Sequence, residues 1–174
     1  NIYIVYYDSN NSALKSFNTT TKEEIVIAKT DETTEGTKSL GSYKFLSNNM
    51  VDGAVVVYTA TVYSESYNED MNAGSGSTRP TENYNMVYAY SVGDTLAENE
   101  EVVGKVIFDG SKQKNSNYTI SKADNKFVYI QRTNTYAITQ MFALSNDDIK
   151  TVLNDANADA SKDVGVEVVA SYVD

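Results

Sequence analysis

The sequence has no histidine, no cysteine and no tryptophan, and it has a single proline in 174 residues. These absences exclude the Ser-His-Asp and Cys-His nucleophile systems, histidine-based zinc sites, haem ligation through either residue and disulfide frameworks. Positive charge is also scarce, because 14 Lys and Arg residues face 24 Asp and Glu residues, for a net charge of −10. Without a basic stripe to release counterions from a phosphate backbone, nucleic acid is not expected as a partner.

Long apolar runs are absent as well. No run approaches the roughly 18–20 residues of a membrane-spanning helix, so we expect no transmembrane segment in this chain. The chain begins at Asn1, close to a strand-like run at residues 2–7, with no charged leader and no apolar signal segment. This start predicts either that a targeting segment has been removed or that the chain is part of a larger polypeptide.

The chain does contain short, β-branched, tyrosine-rich runs bounded by Asn, Asp, Gly and Ser, which are typical of strands and turns. The strand candidates are residues 2–7, 14–17, 25–28, 43–46, 54–63, 86–92, 102–108, 118–121, 127–131, 138–144 and 166–172. Only residues 147–153 are compatible with a short helix, and residues 149–153 fit a strand equally well. The pattern predicts an all-β chain.

The predicted strands recur as a unit of strand, polar turn, strand and further strand. Blade-like units cover residues 1–30, 38–110 and 113–154, and residues 164–174 resemble the start of another. Four strands per repeat is typical of a β-propeller, at about 40–45 residues per blade. We therefore expect residues 1–174 to form one all-β unit, a partial propeller of three to four blades within a larger domain. The alternative is a β-sandwich or jelly roll, which needs no repeat.

One connection between predicted strands shows a family resemblance. Residues 118–130 (YTISKADNKFVYI) resemble the xxSxDGKxIxYx step of TolB-like propeller blades, with Asn125 in place of the usual Gly. Residues 43–58 look like a looser version of the same step. The hairpin at residues 7–18 is similar to the YxxxxDxxxxLxxxN hairpin of bacterial lipoproteins with tandem short propeller repeats. The resemblance implies an envelope-attached protein, although the cysteine that would carry a lipid is not in this chain.

A polar segment at residues 64–83 contains the single proline, Pro80, and separates two strong strands. Loops of this length are usually functional or disordered. Tyrosine offers rigid, amphipathic contact area, so the tyrosines in and around this loop are candidate ligand or partner contacts. They are Tyr63, Tyr67, Tyr84 and Tyr88. The alternative is that they are ordinary half-buried sheet residues.

An acidic segment near the end of the chain has the alternation of a calcium loop. Oxygen-bearing side chains occupy alternate positions, as in an EF-hand, at Asp155, Asn157, Asp159, Ser161 and Asp163. The segment departs from that motif at Ala160, where the turn needs Gly, and at Val166, which takes the twelfth position. These residues predict either a calcium site or a solvated acidic loop, and no other cofactor is expected.

Together these features predict a non-catalytic binding or scaffold domain of propeller type, secreted or at a bacterial cell surface and outside the cytoplasm. Its expected partners are the remainder of its own polypeptide or another protein chain, and a surface glycan. The alternative is a structural or assembly subunit that pairs through edge strands at residues 1–7 and 166–173. A third hypothesis is a carboxylate-dependent glycoside hydrolase, since two carboxylates suffice for that chemistry.

Overall fold

A computed structural model of the protein describes residues 2–30, 37–46, 54–63, 83–93, 104–110, 117–133, 138–155 and 166–171. The strands are β1 (Tyr3–Asp8), β2 (Ala13–Asn18), β3 (Glu24–Lys29), β4 (Thr37–Phe45), β5 (Ala54–Tyr63), β6 (Asn83–Val92), β7 (Lys105–Asp109), β8 (Asn117–Ala123), β9 (Phe127–Thr133), β10 (Ile138–Ser145) and β11 (Val166–Ser171). Within these ranges the structure also has one helix, α1 (Asn146–Asn154), between β10 and β11. The all-β prediction is confirmed apart from this helix. No helix among the described residues is long and apolar enough to cross a bilayer.

The strands form three antiparallel sheets in which each strand pairs with its neighbour in the chain. The first sheet contains β1, β2 and β3, the central sheet β4 to β7, and the third sheet β8 to β11. Each sheet is therefore a meander without crossovers, and none closes on itself. The connections between sheets have equal length, since residues 30–36 join β3 to β4 and residues 110–116 join β7 to β8.

The central sheet is buried on both faces. One face packs against the first sheet in a core of Leu14, Ile27, Val56, Tyr58, Tyr90 and Val92. The other face packs against the third sheet in a core that includes Val55, Val57, Val87, Ala89, Ile120, Val128, Ile130, Phe142 and Leu144. Because β5 has no solvated side, residues 55–60 are all buried. The strand therefore reads as a continuous apolar run rather than as an alternating one.

Polar side chains of the central sheet cover the free edge of β8. The N–H of Tyr118 donates to Oδ1 of Asn85 at 2.8 Å, and the N–H of Ile120 donates to Oγ of Ser42 at 3.0 Å. The buried Asn85 side chain also donates to Oγ1 of Thr61 at 2.7 Å. Nearby, Gly110 permits a close approach, since a Cβ there would lie 2.0 Å from the carbonyl oxygen of Asn85. These bonds block the edge of β8 against further pairing.

Residues 147–153, whose sequence is compatible with a helix and in part with a strand, belong to the helix α1. Asp147 and Asp148 lie in its first turn, where carboxylates interact favourably with the helix dipole. Ile149, Val152 and Leu153 follow the i, i+3, i+4 spacing of an amphipathic helix and pack on the larger core. A strand at residues 149–153 would divide these three side chains between two faces.

The fourth strand of the third sheet is therefore β11, which pairs with β10. This differs from the expectation that residues 164–174 begin another unit. The remaining strand candidates coincide with observed strands, and β7 begins at Lys105 rather than at residue 102. Residues 102–103 and 64–82 lie outside the described residues.

The central and third sheets meet along their first strands, and α1 packs against both of them further out. β8 lies against β4, β5 and β6, whereas α1 lies against β6, β7 and β10. Nζ of Lys105 donates to the carbonyl oxygens of Val152, Leu153 and Asp155 at 3.1, 3.3 and 2.8 Å. Because the last carbonyls of a helix lack intrahelical partners, this lysine both satisfies them and fixes α1 to β7.

Replacing Asn85 by Ala should lower the free energy of unfolding by about 2–3 kcal/mol, because the buried N–H of Tyr118 and the partly buried hydroxyl of Thr61 lose their partner. Urea unfolding followed by tyrosine fluorescence measures the change. The matched control is Asn125→Ala, at an exposed asparagine of the β8–β9 turn, and it should shift the midpoint little. Equal midpoints for N85A and the unsubstituted chain would contradict the role of Asn85 between the sheets.

Candidate functional site

The face of the first sheet that points away from the central sheet combines apolar and charged side chains. In the strand register Ile4 lies opposite Phe17 and Tyr6 opposite Lys15, while β3 places Val26 opposite Lys15. Residues that lie opposite each other in an antiparallel pair share a face. We call this surface the outer face of the first sheet and define it by Ile4, Tyr6, Asp8, Lys15, Phe17, Glu24 and Val26.

A single lysine links all three strands on this face. Nζ of Lys15 lies 2.9 Å from Oδ2 of Asp8 and 2.8 Å from Oε1 of Glu24. The Tyr6 hydroxyl donates to the second carboxylate oxygen of Glu24. The side chains of Lys15 and Asp8 are only 13% and 16% exposed, so the bonds between them are partly shielded from water.

The electrostatics of this network keep every member in its ordinary charge state at neutral pH. Donation from Asn11 and Lys15 holds the pKa of Asp8 well below its usual range. The pKa of Glu24 is lowered, first by Lys15 and then by Tyr6. Hydrogen bonds to Glu24 and Asp8 raise the pKa of Lys15, and the bond to Glu24 raises that of Tyr6. None of these shifts moves a group toward pH 7, where a general acid or base works best.

Comparison with known proteins gives no match. No protein-family model matches the chain, and no curated protein or solved structure is significantly similar to it. The function therefore has to be inferred from the geometry of the described residues.

The residues of the lysine network were not among the sequence-predicted site residues. The signal that could have found them is the register of the first hairpin. A four-residue turn at residues 9–12 places Asp8 opposite Ala13 and therefore Tyr6 opposite Lys15. The participation of Glu24 also depends on the bulge in β2–β3 pairing between Leu14 and Lys15, which the sequence pattern does not indicate.

Three side chains at strand ends shape the turns. An oxygen of Asp8, Asn18 and Asp124 in each case accepts the backbone N–H groups two and three positions later, at 2.8–3.4 Å. These Asx-type bonds are the physical role of Asp124 in the segment that resembles a TolB-like step. Among the described non-glycine residues only Ser12 and Lys22 have positive φ, so the β8–β9 turn does not require glycine at position 125.

The predicted tyrosine contacts are described only in part. Tyr88 is half-buried and stacks on Tyr58, with ring centroids 5.3 Å apart, beside the core between the first and central sheets. Burial raises the pKa of Tyr58. In the backbone register, position 84 shares a face of the central sheet with position 88, whereas position 63 pairs with position 83 and belongs to the opposite face. Tyr67 lies outside the described residues, and ligand contact by these tyrosines stays a prediction.

The predicted calcium loop also falls mostly outside the described residues. Asp155 is exposed, its N–H donates to the carbonyl oxygen of Thr151 at 3.1 Å, and its own carbonyl oxygen accepts from Lys105. The other four predicted ligands lie outside the described residues: Asn157, Asp159, Ser161 and Asp163. Across the part of the chain that the structure describes, no group of three or more Asp or Glu residues could hold a metal ion. The calcium site stays a prediction.

Acid should weaken the first sheet through Asp8 and Glu24. Because both pKa values are lowered in the folded state, their stabilisation is present above the ordinary carboxyl pKa of about 4 and is lost as the pH falls below it. The raised pKa of Lys15 has no effect in this range, since its contribution is lost only at high pH. We therefore expect Lys15→Met to lose less stability than the unsubstituted chain between pH 7 and pH 3.

Urea midpoints at both pH values measure this difference, and Lys126→Met, at an exposed lysine of the β8–β9 turn, is the matched control. The control should lose as much stability on acidification as the unsubstituted chain. A K15M variant with the same acid sensitivity as the unsubstituted chain would show that the network does not contribute to folding.

Proposed function

We propose that the chain is a section of a propeller-type scaffold that binds a partner and has no catalytic activity. The observation that supports this most strongly is the arrangement of three meander sheets around shared cores. Propellers stack four-stranded meanders face to face around an axis, so that neighbouring sheets are close at one edge and spread apart at the other. The contact of β8 with β4, and the packing of α1 against β7 and β10, agree with that geometry.

A β-sandwich accounts for this arrangement less well. Its two sheets each have one buried face and one solvated face. The central sheet here has both faces buried, which requires a third layer. The hydrogen bond from Ile120 to Ser42 also joins the first strands of two successive sheets, at the place where propeller blades approach the axis.

A binding role without catalysis agrees with the chemistry of three of the described carboxylates. A glycosidase needs a carboxylic acid with a raised pKa next to a second carboxylate. The pKa values of Asp8, Glu24 and Asp124 are all lowered, because each carboxylate accepts several hydrogen bonds. The outer face of the first sheet instead presents Ile4 and Val26, which are 51% and 41% exposed, around a satisfied ionic network. Exposed apolar surface of this kind suits contact with a protein.

The proposal also includes the cellular location of the protein and its binding partners. A net charge of −10 favours solubility, and the absence of cysteine agrees with a secreted or cell-surface protein of a bacterium. The partner that we propose first is further polypeptide, either the remainder of the same protein or another chain. A surface glycan is the second.

Thermal unfolding of the 174-residue chain at several concentrations tests the propeller architecture. A section with an uncovered terminal sheet should give a broad transition, or one that moves to higher temperature with concentration as copies cover each other. Near-ultraviolet circular dichroism of the tyrosines reports the loss of packing. A sharp transition that is independent of concentration would overturn the propeller section and favour the self-contained sandwich.

A glycan array combined with a panel of chromogenic glycosides tests the absence of catalysis. We expect no turnover of any glycoside, including any whose glycan the chain binds on the array. Turnover that disappears when single Asp or Glu residues are replaced by Asn or Gln would overturn the proposal and establish a glycosidase.

A further inference from the structure

The chain contains three Asn-x-Ser/Thr triplets, the pattern to which N-linked glycans are attached. They begin at Asn10, Asn18 and Asn117, and none has proline in the middle position. A transferase that acts on a folded chain needs an asparagine side chain without other bonds, in a segment that can leave the surface while the rest stays folded. The structure describes all three triplets and separates them by this requirement.

The side chain of Asn18 is already in use. Asn18 is 9% exposed, and its Oδ1 accepts the N–H groups of Thr20 and Thr21 at 2.9 and 3.2 Å. Its Nδ2, the atom that would carry the sugar, donates to the hydroxyl of Tyr3 at 3.4 Å. A glycan on this nitrogen would break the contact with Tyr3 and open a buried turn, so the structure excludes Asn18.

The triplet at Asn117 has an exposed asparagine but is held in place by its middle residue. The side chain of Tyr118 is buried in the larger core, and its N–H donates to Oδ1 of Asn85 at 2.8 Å. Asn117 and Thr119 both pair with β9 as part of β8. Since the transferase recognises the three residues together, it would have to pull the start of β8 away from two sheets. The folded chain therefore does not present Asn117.

The triplet at Asn10 lies in the β1–β2 turn, residues 9–12, where no side chain is buried. Asn10 and Asn11 are exposed, Ser12 is partly exposed, and none of the three belongs to a core. Within the described ranges the side chain of Asn10 makes no hydrogen bond. Its amide is therefore accessible to an enzyme without any loss of packing.

The bonds that close this turn are few and exposed. One carboxylate, that of Asp8, accepts the backbone N–H groups of Asn10 and Asn11 at 3.0 and 3.4 Å and the Asn11 side chain at 2.7 Å. The carbonyl oxygen of Ser12 accepts the N–H of Thr30 at 3.1 Å. Local opening of an exposed turn requires far less free energy than detaching a strand from a core. The turn can therefore enter an active site while the three sheets stay in place.

The residue two positions before each asparagine separates the triplets a second time. Oligosaccharyltransferases of bacteria select an acidic residue at that position. Asp8 stands there for Asn10, whereas Ser16 and Asn115 stand there for the other two triplets. Sequence and accessibility thus select the same asparagine independently. Because Asp8 is bonded to the turn and to Lys15 in the closed form, the enzyme recognises the open form.

We propose that Asn10 is the attachment site of an N-linked glycan, transferred from a polyprenyl-pyrophosphate-linked oligosaccharide. Nδ2 of Asn10 forms a bond to C1 of the first sugar, and the bond between C1 and the pyrophosphate oxygen breaks. The amide nitrogen loses one proton to a base of the transferase, and the polyprenyl pyrophosphate leaves. The inference rests on the proposed location outside the cytoplasm, and it holds whether or not the sheets belong to a ring.

Transfer to the purified, folded chain tests the acceptor site without any need for export. The 174-residue chain is incubated with a bacterial oligosaccharyltransferase and a lipid-linked oligosaccharide of known mass, and intact mass spectrometry counts the glycans added. We expect one glycan per chain. Asn10→Gln and Ser12→Ala should each lower the glycosylated fraction by more than about tenfold, whereas Ser12→Thr should retain it.

The matched control is Asn117→Gln, which removes the other exposed triplet and should leave the glycosylated fraction unchanged. Urea midpoints show whether the variants are folded. A synthetic peptide with the sequence of residues 6–14, YYDSNNSAL, shows that the enzyme accepts this triplet outside the fold. The attached glycan should not shift the urea midpoint of the chain, because the turn contacts neither core.

Three results in vitro would overturn the acceptor site. They are transfer to the peptide but not to the folded chain, transfer that persists in N10Q, and transfer that is lost in N117Q.

Peptide mapping of the protein from the cells that naturally make it tests occupancy, and we expect the glycan on the peptide that contains Asn10. An exported protein without this glycan would overturn the proposal. A protein found in the cytoplasm would instead overturn the proposed location, and with it the natural modification, while leaving the result in vitro unchanged. The two proposals can therefore fail separately.

Discussion

The structure depends on the burial of the central sheet from both sides. A three-stranded sheet such as β1–β2–β3 has little stability in water unless one face is covered. The central sheet supplies that cover, and it does the same for the third sheet. The two faces are built differently: tyrosines such as Tyr58 and Tyr90 fill the side toward the first sheet, whereas Val57 and Ala89 leave room for the third sheet to approach. One strand, β5, thus contributes to both cores.

This arrangement creates a problem at the edges, because an edge strand inside the structure has N–H groups that need partners. Apolar side chains cannot satisfy them, and an unsatisfied buried N–H is costly. Asn85 and Ser42 provide oxygen atoms at the junction of the central and third sheets, and Lys105 provides a donor for the carbonyls of α1. The polar residues in this interior are therefore structural, and they fix which edges face each other.

The sequence predicts what is determined locally. The strands and their turns depend on β-branched runs and on side chains such as Asp8 and Asp124 that bond to the next residues, so their positions follow from the pattern. The helix does not follow from the pattern, since Ile149, Val152 and Leu153 fit both helical and strand periodicity. The acidic residues in the first turn and the packing on the core together favour the helix. The pairing of β11 with β10 skips over α1 and ten residues outside the described ranges, and no local signal specifies it.

The same limit applies to the candidate sites. Tyr6 and Lys15 face each other because of a hairpin register that can be counted from the sequence. Asn85 could not be found in this way, since its acceptor role involves Tyr118, 33 residues further along the chain. Whether a polar residue closes an edge or remains on the surface is decided by the packing of sheets, which strand patterns do not contain.

The first and third sheets carry their polar side chains in different places. Open, apolar edges invite pairing with other chains, and proteins usually protect them with proline, charge or a covering element. The edge of β8 is covered by Asn85 and Ser42, whereas the ionic network of Asp8, Lys15 and Glu24 lies on the outer face of the first sheet. Charged groups on that face hinder the stacking of a further apolar sheet on it. The net charge of −10 adds a repulsion between copies of the chain that any association of copies has to overcome.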